Sequence, residues 1–235
     1  MVSQMTFDAF PLPDIPALVF EGQKRILVVA DLHLGYEYEL LKKGINIPNQ
    51  SSFISQALKE TIIESKAERL IFLGDVKHNI PNISALEAKS LPKFMNFDIP
   101  YKIIKGNHDG SIESLLGVST YNHIKVDGTL FIHGHMKIPK MEFESLVMGH
   151  SHPAIEITDE LGRRTKEKCW IKGKFPSGQD IIIMPAYNPL ITGIAFNRKG
   201  AKIPGTIFKR FDLEDLELTA YLLDGTFLGN LLDIK

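Results

Sequence analysis

Five short motifs in this chain set out metal-type ligands in order: Asp31-Leu32-His33, Gly74-Asp75-Val76-Lys77-His78, Gly106-Asn107-His108-Asp109, His133-Gly134-His135 and Gly149-His150-Ser151-His152. They absorb every histidine except His123. Carboxylate, carboxamide and imidazole donors without thiolate suit manganese, iron or zinc in mixed oxygen and nitrogen coordination. Two carboxylates, one carboxamide and at least four imidazoles exceed what one ion with open positions needs, so two ions sharing a carboxylate fit better. Two ions about 3.5–4 Å apart activate water and stabilise both the entering and leaving oxygens of a phosphoryl displacement. Glycine beside nearly every ligand permits tight turns and close backbone approach. Each motif alone has a plain reading: D-x-H arises by chance, GNHD suits a polar turn and GHSH a loop. Five in order are what point to chemistry.

These residues need a frame, and each motif follows a short apolar run. Arg25–Ala30, Arg69–Leu73, Tyr101–Lys105, Thr129–Ile132 and Ser145–Met148 are too short for helices and rich in Ile, Leu and Val, as buried strands are. Helices are expected over Asn49–Lys66, with Phe53, Ala57, Leu58 and Ile62 at helical spacing, over Tyr36–Lys43, and over Ser84–Asn96 with a break at Pro92. Strand and helix alternating in this way predict a layered α/β fold. In such folds ligands bind beyond the carboxyl ends of the strands, where the five motifs lie.

Past residue 120 the pattern turns to β. Asp127-Gly128 marks a hairpin between Tyr121–Val126 and Thr129–Ile132, and Asp224-Gly225 marks another. Lys168–Lys174, Gln179–Met184, Ile191–Phe196 and Thr206–Phe211 read as further strands, forming a second sheet on the first. No linker divides the chain, so one domain over 1–235 is expected.

Composition excludes several classes. The 235 residues carry 27 Lys+Arg against 28 Asp+Glu, a balance unlike that of a strongly basic nucleic-acid clamp. The longest apolar run, Ile26 to Ala30, is far short of a membrane span. The opening residues show no secretory pattern, and the single cysteine, Cys169, excludes a disulfide framework. A cytoplasmic protein without membrane association is the expectation.

The ordered set D-x-H, G-D-x-x-H, G-N-H-D, H-G-H and G-H-x-H resembles the calcineurin-like metallophosphoesterase family over residues 25–152. GDVKHNIP looks closest to the SbcD-type DNA-repair nucleases. ADLHLGYEYELLKKGINIP and IIIMPAYNPLITG are similar to segments of small archaeal SbcD-related phosphoesterases and bacterial ligase-associated relatives, extending the likeness to about residue 195. The resemblance implies a four-layer αββα sandwich of two mixed sheets flanked by helices, with a dimetal site at its edge. Carried over by position, Asp31, His33 and His152 hold one ion, Asn107, His133 and His150 the other, and Asp75 bridges them. The nucleophile is a water activated between the ions. His108 faces the phosphate as stabiliser or acid, Asp109 orients its ring, and His78 is a second phosphate-facing histidine, with Asn107 also near substrate. The resemblance implies two divalent ions, manganese first, with iron, nickel or zinc as alternatives.

The remaining residues say less. His135 is either a support for the site or part of its turn, His123 a solvent-side strand residue, and Cys169 and Trp170 core fillers. Lys42, Lys43 and Lys77 are read as solvated surface that could meet phosphate. Arg163, Arg164, Lys166, Lys168, Lys172 and Lys174 could follow a nucleic-acid backbone, with a charged hairpin face as the plainer reading. The leading reading is hydrolysis of a phosphodiester, in nucleic acid or a nucleotide. A phosphomonoesterase on a small molecule or nucleotide, and a non-catalytic scaffold of the same fold, are the alternatives. Little chain remains after His152 to grip nucleic acid, so a homodimer or a DNA-repair partner protein is expected to help.

Overall fold

The structure is a computed structural model that describes residues 9–80 and 83–234. Residues 1–8, part of the leader-free reading, and Pro81 of GDVKHNIP lie outside the described residues. The chain opens with β1 (Ala9–Pro11), β2 (Ala17–Glu21) and β3 (Arg25–Val29) in antiparallel succession. It continues through α1 (Tyr36–Lys42), α2 (Ser51–Ser65), β4 (Arg69–Phe72), α3 (Ala85–Phe94), β5 (Tyr101–Ile104), α4 (Ile112–Leu116) and β6 (Thr120–Tyr121). β3 to β6 run parallel, completing a six-stranded sheet in chain order.

The second sheet has nine strands: β7 (His123–Val126), β8 (Thr129–Ile132), β9 (Ser145–Met148), β10 (Pro153–Thr158), β11 (Arg164–Lys174), β12 (Asp180–Ile183), β13 (Ile194–Ala195), β14 (Thr219–Leu222) and β15 (Phe227–Asn230). Its main path is β13-β10-β11-β12-β9-β8-β7, with β14 on β11 and β15 on β14. β8, β9 and β12 are parallel neighbours, whereas β7–β8, β10–β11 and β11–β12 are antiparallel, so both sheets are mixed.

Alternating side chains explain the layers. Ile26 and Val28 of β3, with Ile71 of β4, meet Phe131, Val147, Trp170 and Ile182 of the second sheet. Leu27, Val29, Leu70 and Phe72 point the other way, onto Ile54, Leu58, Leu91 and Phe94 of the helices. Both faces of the central strands are therefore dry, which is why they read as unbroken apolar runs. Cys169 and Trp170 are both buried in the layers of the second sheet, as core fillers.

The expected α/β sandwich of two mixed sheets is present, but its fourth layer is thin. Among the described residues, three short 3-10 turns, Ile207–Lys209, Leu213–Leu216 and Leu231–Asp233, cover the outer face of the second sheet in place of α-helices. The first of these replaces the strand expected over Thr206–Phe211: Ile207 and Phe208 both pack inward, which strand alternation would forbid. The strand expected over Ile191–Phe196 shrinks to Ile194–Ala195. Tyr121–Val126 is two strands, not one, and the chain changes sheets at Asn122.

α3 runs through Pro92 without the expected break: the proline gives up its own i→i−4 bond, and only Lys93 and Phe94 follow it in the helix. On α2 the buried stripe is Ser51, Ile54, Leu58, Thr61 and Ser65, and Phe53 is 63% exposed. Both predicted hairpins form. Asp127 (φ 43°) and Gly128 (φ 81°) both take the left-handed conformation that a two-residue turn demands. No helix of the described residues is long and apolar enough to cross a membrane.

Candidate metal centre

All five motifs leave the carboxyl ends of β3, β4, β5, β8 and β9 and converge at one edge of the sandwich. The first two loops run side by side. His33 N–H donates to Asp75 O (2.8 Å), Leu34 N–H to Val76 O (2.9 Å), and His78 N–H returns to Leu34 O (3.0 Å). The turns are tight enough that Asp31, His33, Asp75, His150 and His152 all have positive φ, between 42° and 66°. Non-glycine residues hold that conformation only when their surroundings impose it, and such strain gathers at functional sites. Glycine supplies the clearance: a Cβ on Gly106 would lie 2.1 Å from Asp75 Oδ1, and one on Gly74 2.3 Å from His133 Nδ1.

The carboxylates are oriented by backbone. Asp31 Oδ2 accepts from His150 N–H (2.9 Å), and Asp75 Oδ1 accepts from His108 N–H (2.8 Å). The other oxygens face imidazoles. Asp31 Oδ1 is 3.2 Å from His152 Nε2, while Asp75 Oδ2 is 3.3 Å from His133 Nε2 and 3.7 Å from His33 Nε2. Asn107 Oδ1 lies 3.3 Å from His133 Nε2. His133 Nδ1 donates to Leu73 O (2.8 Å), which turns Nε2 toward Asp75 and Asn107.

Three groups of donor atoms each lie within 4.8 Å of one another: Asp31–His33–His152, Asp75–His133–His150, and His33–His78–His108, which shares His33 with the first. Asp75 reaches toward the first two, and the donors are the hard and borderline types that divalent ions take. The residues present thus fit a pair of divalent ions.

Electrostatics agree. Burial alone would raise Asp31, but His152 and His133 hold its carboxyl below the ordinary range, and His133 and His33 do the same for Asp75. Burial pushes His33 down to about 3, and burial with the nearby His133 pushes His150 down to about 4. Burial works against a charged His133 too, yet its hydrogen bond and attraction to Asp75, with Asp31 beside it, lift it to about 9. An arriving cation must displace that proton.

His78 and His108 flank this cluster. Their rings stack at 5.4 Å and 25°, His108 Nδ1 is bound to the His78 carbonyl, and His78 Nδ1 is 3.3 Å from His33 Nδ1. Asp109 does not orient the His108 ring as expected. Its buried carboxylate accepts from Val76 N–H (2.9 Å), Lys77 N–H (3.3 Å) and Gly106 N–H (2.8 Å), tying the second and third loops together. Lys77 is not surface: it is fully buried, with its ammonium on the Asn79 carbonyl. Within the basic stretch, Arg163 pairs with Asp159, Arg164 with Glu156 and Lys174 with Asp180 on the exposed surface, and half-buried Lys168 donates to two carbonyls.

Four residues of the site escape sequence reasoning. Glu39 Oε2 sits 2.6 Å from His78 Nε2. Buried Glu87 accepts from His78 N–H (3.2 Å) and Asn79 N–H (2.9 Å), fixing the second loop; the S-x-x-E capping box beginning at Ser84 was its signal. Asn188 braces the first loop from 156 positions away, and Lys168 in turn holds the carbonyls of Ala186 and Asn188, with no local pattern to reveal either role.

No curated protein sequence matches the chain. Among solved structures, the Pseudomonas putida nuclease MPE is similar at 17% identity over 91% of this chain and 92% of that one, with a TM-score of 0.61. The E. coli phosphoesterase YfcE is 18% identical over 89% and 99% of the two chains, with a TM-score of 0.41. The family model described as calcineurin-like phosphoesterase matches residues 24–223, and the chain belongs to that family.

Proposed function

We propose that this protein is a dimetal-dependent phosphodiesterase, with nucleic acid or a nucleotide as its substrate class. Asp31, His33 and His152 would hold one ion, Asn107, His133 and His150 the other, with Asp75 between them; manganese, iron, nickel and zinc all suit these donors. Bound there, the ions supply Lewis acidity toward the phosphoryl oxygens and a water deprotonated at neutral pH. The chain does the rest. The carboxylates, fixed by backbone N–H groups, need no rearrangement to receive charge. His108 donates through Nδ1 to the His78 carbonyl, so it is as an imidazolium that its Nε2 would donate a hydrogen bond or proton to the leaving oxygen.

The observation that favours a diester is the carboxylate of Glu39 on the phosphate-facing His78. Its hydrogen bonds to Lys43 and His78 lower its pKa to about 2, so it is ionised. Lys43 is engaged with Glu39, Lys42 lies over the Tyr38 ring, and Lys77 is buried. A dianionic monoester calls for unpaired cations at this mouth, whereas a monoanionic diester tolerates a carboxylate there. The test is metal-dependent hydrolysis of bis-p-nitrophenyl phosphate against p-nitrophenyl phosphate. Diester turnover that dominates and disappears with chelator supports the reading. Dominant monoester turnover replaces it with a phosphatase.

A further inference from the structure

His33 and His133 both turn one ring nitrogen toward the metal centre, but their other nitrogens are held differently. His133 Nδ1 donates to a backbone carbonyl, that of Leu73. His33 faces inward with Nε2, which is 3.3 Å from His152 Nε2 and 3.7 Å from Asp75 Oδ2. Its outer nitrogen, Nδ1, meets a second ring, His78 Nδ1, at 3.3 Å. On the far side of that ring His78 Nε2 is 2.6 Å from Glu39 Oε2, a residue of α1. A carboxylate and two imidazoles thus stand in line and end at the first group of ligands.

The chemistry of these atoms fixes where each proton sits. The ionised Glu39 can only accept, so His78 donates to it through Nε2, and Nδ1 of the neutral ring is left as an acceptor. A histidine that gives Nε2 to a metal carries its proton on Nδ1, and that N–H needs an acceptor. His78 Nδ1 stands where the acceptor must be. The opposite arrangement, a proton on His78 Nδ1, would move the His33 proton to Nε2 and turn an N–H toward the arriving cation. His33 is itself buried, where an unmet N–H is costly. The accepting ring is also well anchored. Tyr36 packs against it at 4.9 Å, His108 stacks on it at 5.4 Å, and its backbone N–H donates to Leu34 O (3.0 Å).

We propose that His78 and Glu39 are positioning residues for His33, a hydrogen-bonded relay that sets the tautomer of its ring and strengthens Nε2 as a ligand for a divalent cation. Both nitrogens of His78 are then committed, so it faces the phosphate without a hydrogen bond to offer it. The closeness of the donor atoms of His33, His78 and His108 is accordingly a hydrogen-bonded contact and not a third ion position. The relay rests on the dimetal reading above only in taking Asp31, His33 and His152 as the ligands of one ion; it does not depend on the substrate.

The test is chelator competition for zinc, followed by nitrogen NMR of the histidine rings. The His33 and His152 signals report the first position, and those of His133 and His150 the second. The loaded wild-type protein should show zinc on His33 Nε2, a proton on His33 Nδ1 and none on His78 Nδ1. His78→Ala should weaken the first position by about 10–100-fold, the usual effect of losing such a partner, with a far smaller effect on the second. His78→Asn, whose amide oxygen can still accept from His33, should recover most of that loss, and Glu39→Leu should show part of it. Unchanged zinc affinity in His78→Ala, a loss shared equally by both positions, or a proton or zinc on His78 Nδ1 would overturn the relay. Zinc missing from His33 in the wild type would overturn the metal centre itself, whereas zinc bound there with indifferent variants rejects the relay alone.

Discussion

The side-chain amide of Asn188 donates to the carbonyl of Leu32 at 2.7 Å, holding from outside the turn whose two neighbours, Asp31 and His33, face the metal centre. Both of those residues have positive φ, so the turn is strained and needs an external clamp. Tyr187 N–H adds a second bond to Ala30 O (2.8 Å). Asn188→Ala should cost about 1–3 kcal/mol of stability, since it leaves a buried carbonyl unpaired. It should also weaken metal uptake, readable by metal titration of folded protein, while Asn188→Asp, which keeps the shape but loses the donor, should not rescue it.

His108 and Asp75 should separate chemistry from assembly. His108→Ala is expected to lower turnover by roughly 100-fold or more with metal content near normal, the scale of an acid–base group. Asp75→Asn is expected to lose metal, because it removes the charge facing both ligand groups. Elemental analysis beside kinetics checks both, and wild-type rates in both variants would mean that the centre is misassigned.

Glu39 should set selectivity. Glu39→Gln keeps a polar partner for His78 but removes the negative charge, so kcat/KM for p-nitrophenyl phosphate should rise several-fold relative to the bis ester. An unchanged ratio would remove the electrostatic case for a diester substrate.

Lys168 offers a pH-dependent readout of the same brace that Asn188 completes. Its Nζ donates to Ala186 O (2.7 Å) and Asn188 O (2.6 Å), and burial lowers its pKa to about 8 against an ordinary 10.5. Between those values the unfolded chain binds the proton more tightly than the folded one, so stability from this group rises as pH increases. A neutral amine still has two N–H donors for the two carbonyls. Urea unfolding at pH 7.5, 8.5 and 9.5 should show wild type gaining stability relative to Lys168→Met across the series. A constant difference would place the amine in water.

What could be read in advance depended on local repetition. Strands such as Arg69–Phe72 are buried on both faces, so their composition alone betrays them, and the ligands stand at their ends. Ala9–Pro11 and Ala17–Glu21 were hidden among prolines, and Pro153–Thr158 by its mixture of charged and apolar residues. Ile207–Lys209 looked like a strand because its apolar residues are consecutive, and only the sheet beneath decides that they form a turn. Glu39, Asn188 and Lys168 are single polar residues whose partners are distant in sequence. No periodicity marks such residues.

The change of sheets at Asn122 has a consequence for assembly. Asp31, His33, Asp75 and Asn107 hang from the first sheet, and His133, His150 and His152 from the second. Each proposed ion would therefore take ligands from both sheets, although His33, His78 and His108, all on loops of the first, also bring donor atoms within 4.8 Å of one another. The full ligand set of either proposed ion would exist only after the two sheets have docked in register. Loading would then act as a proofreading step in maturation, riveting the correctly closed sandwich and passing over every half-built one.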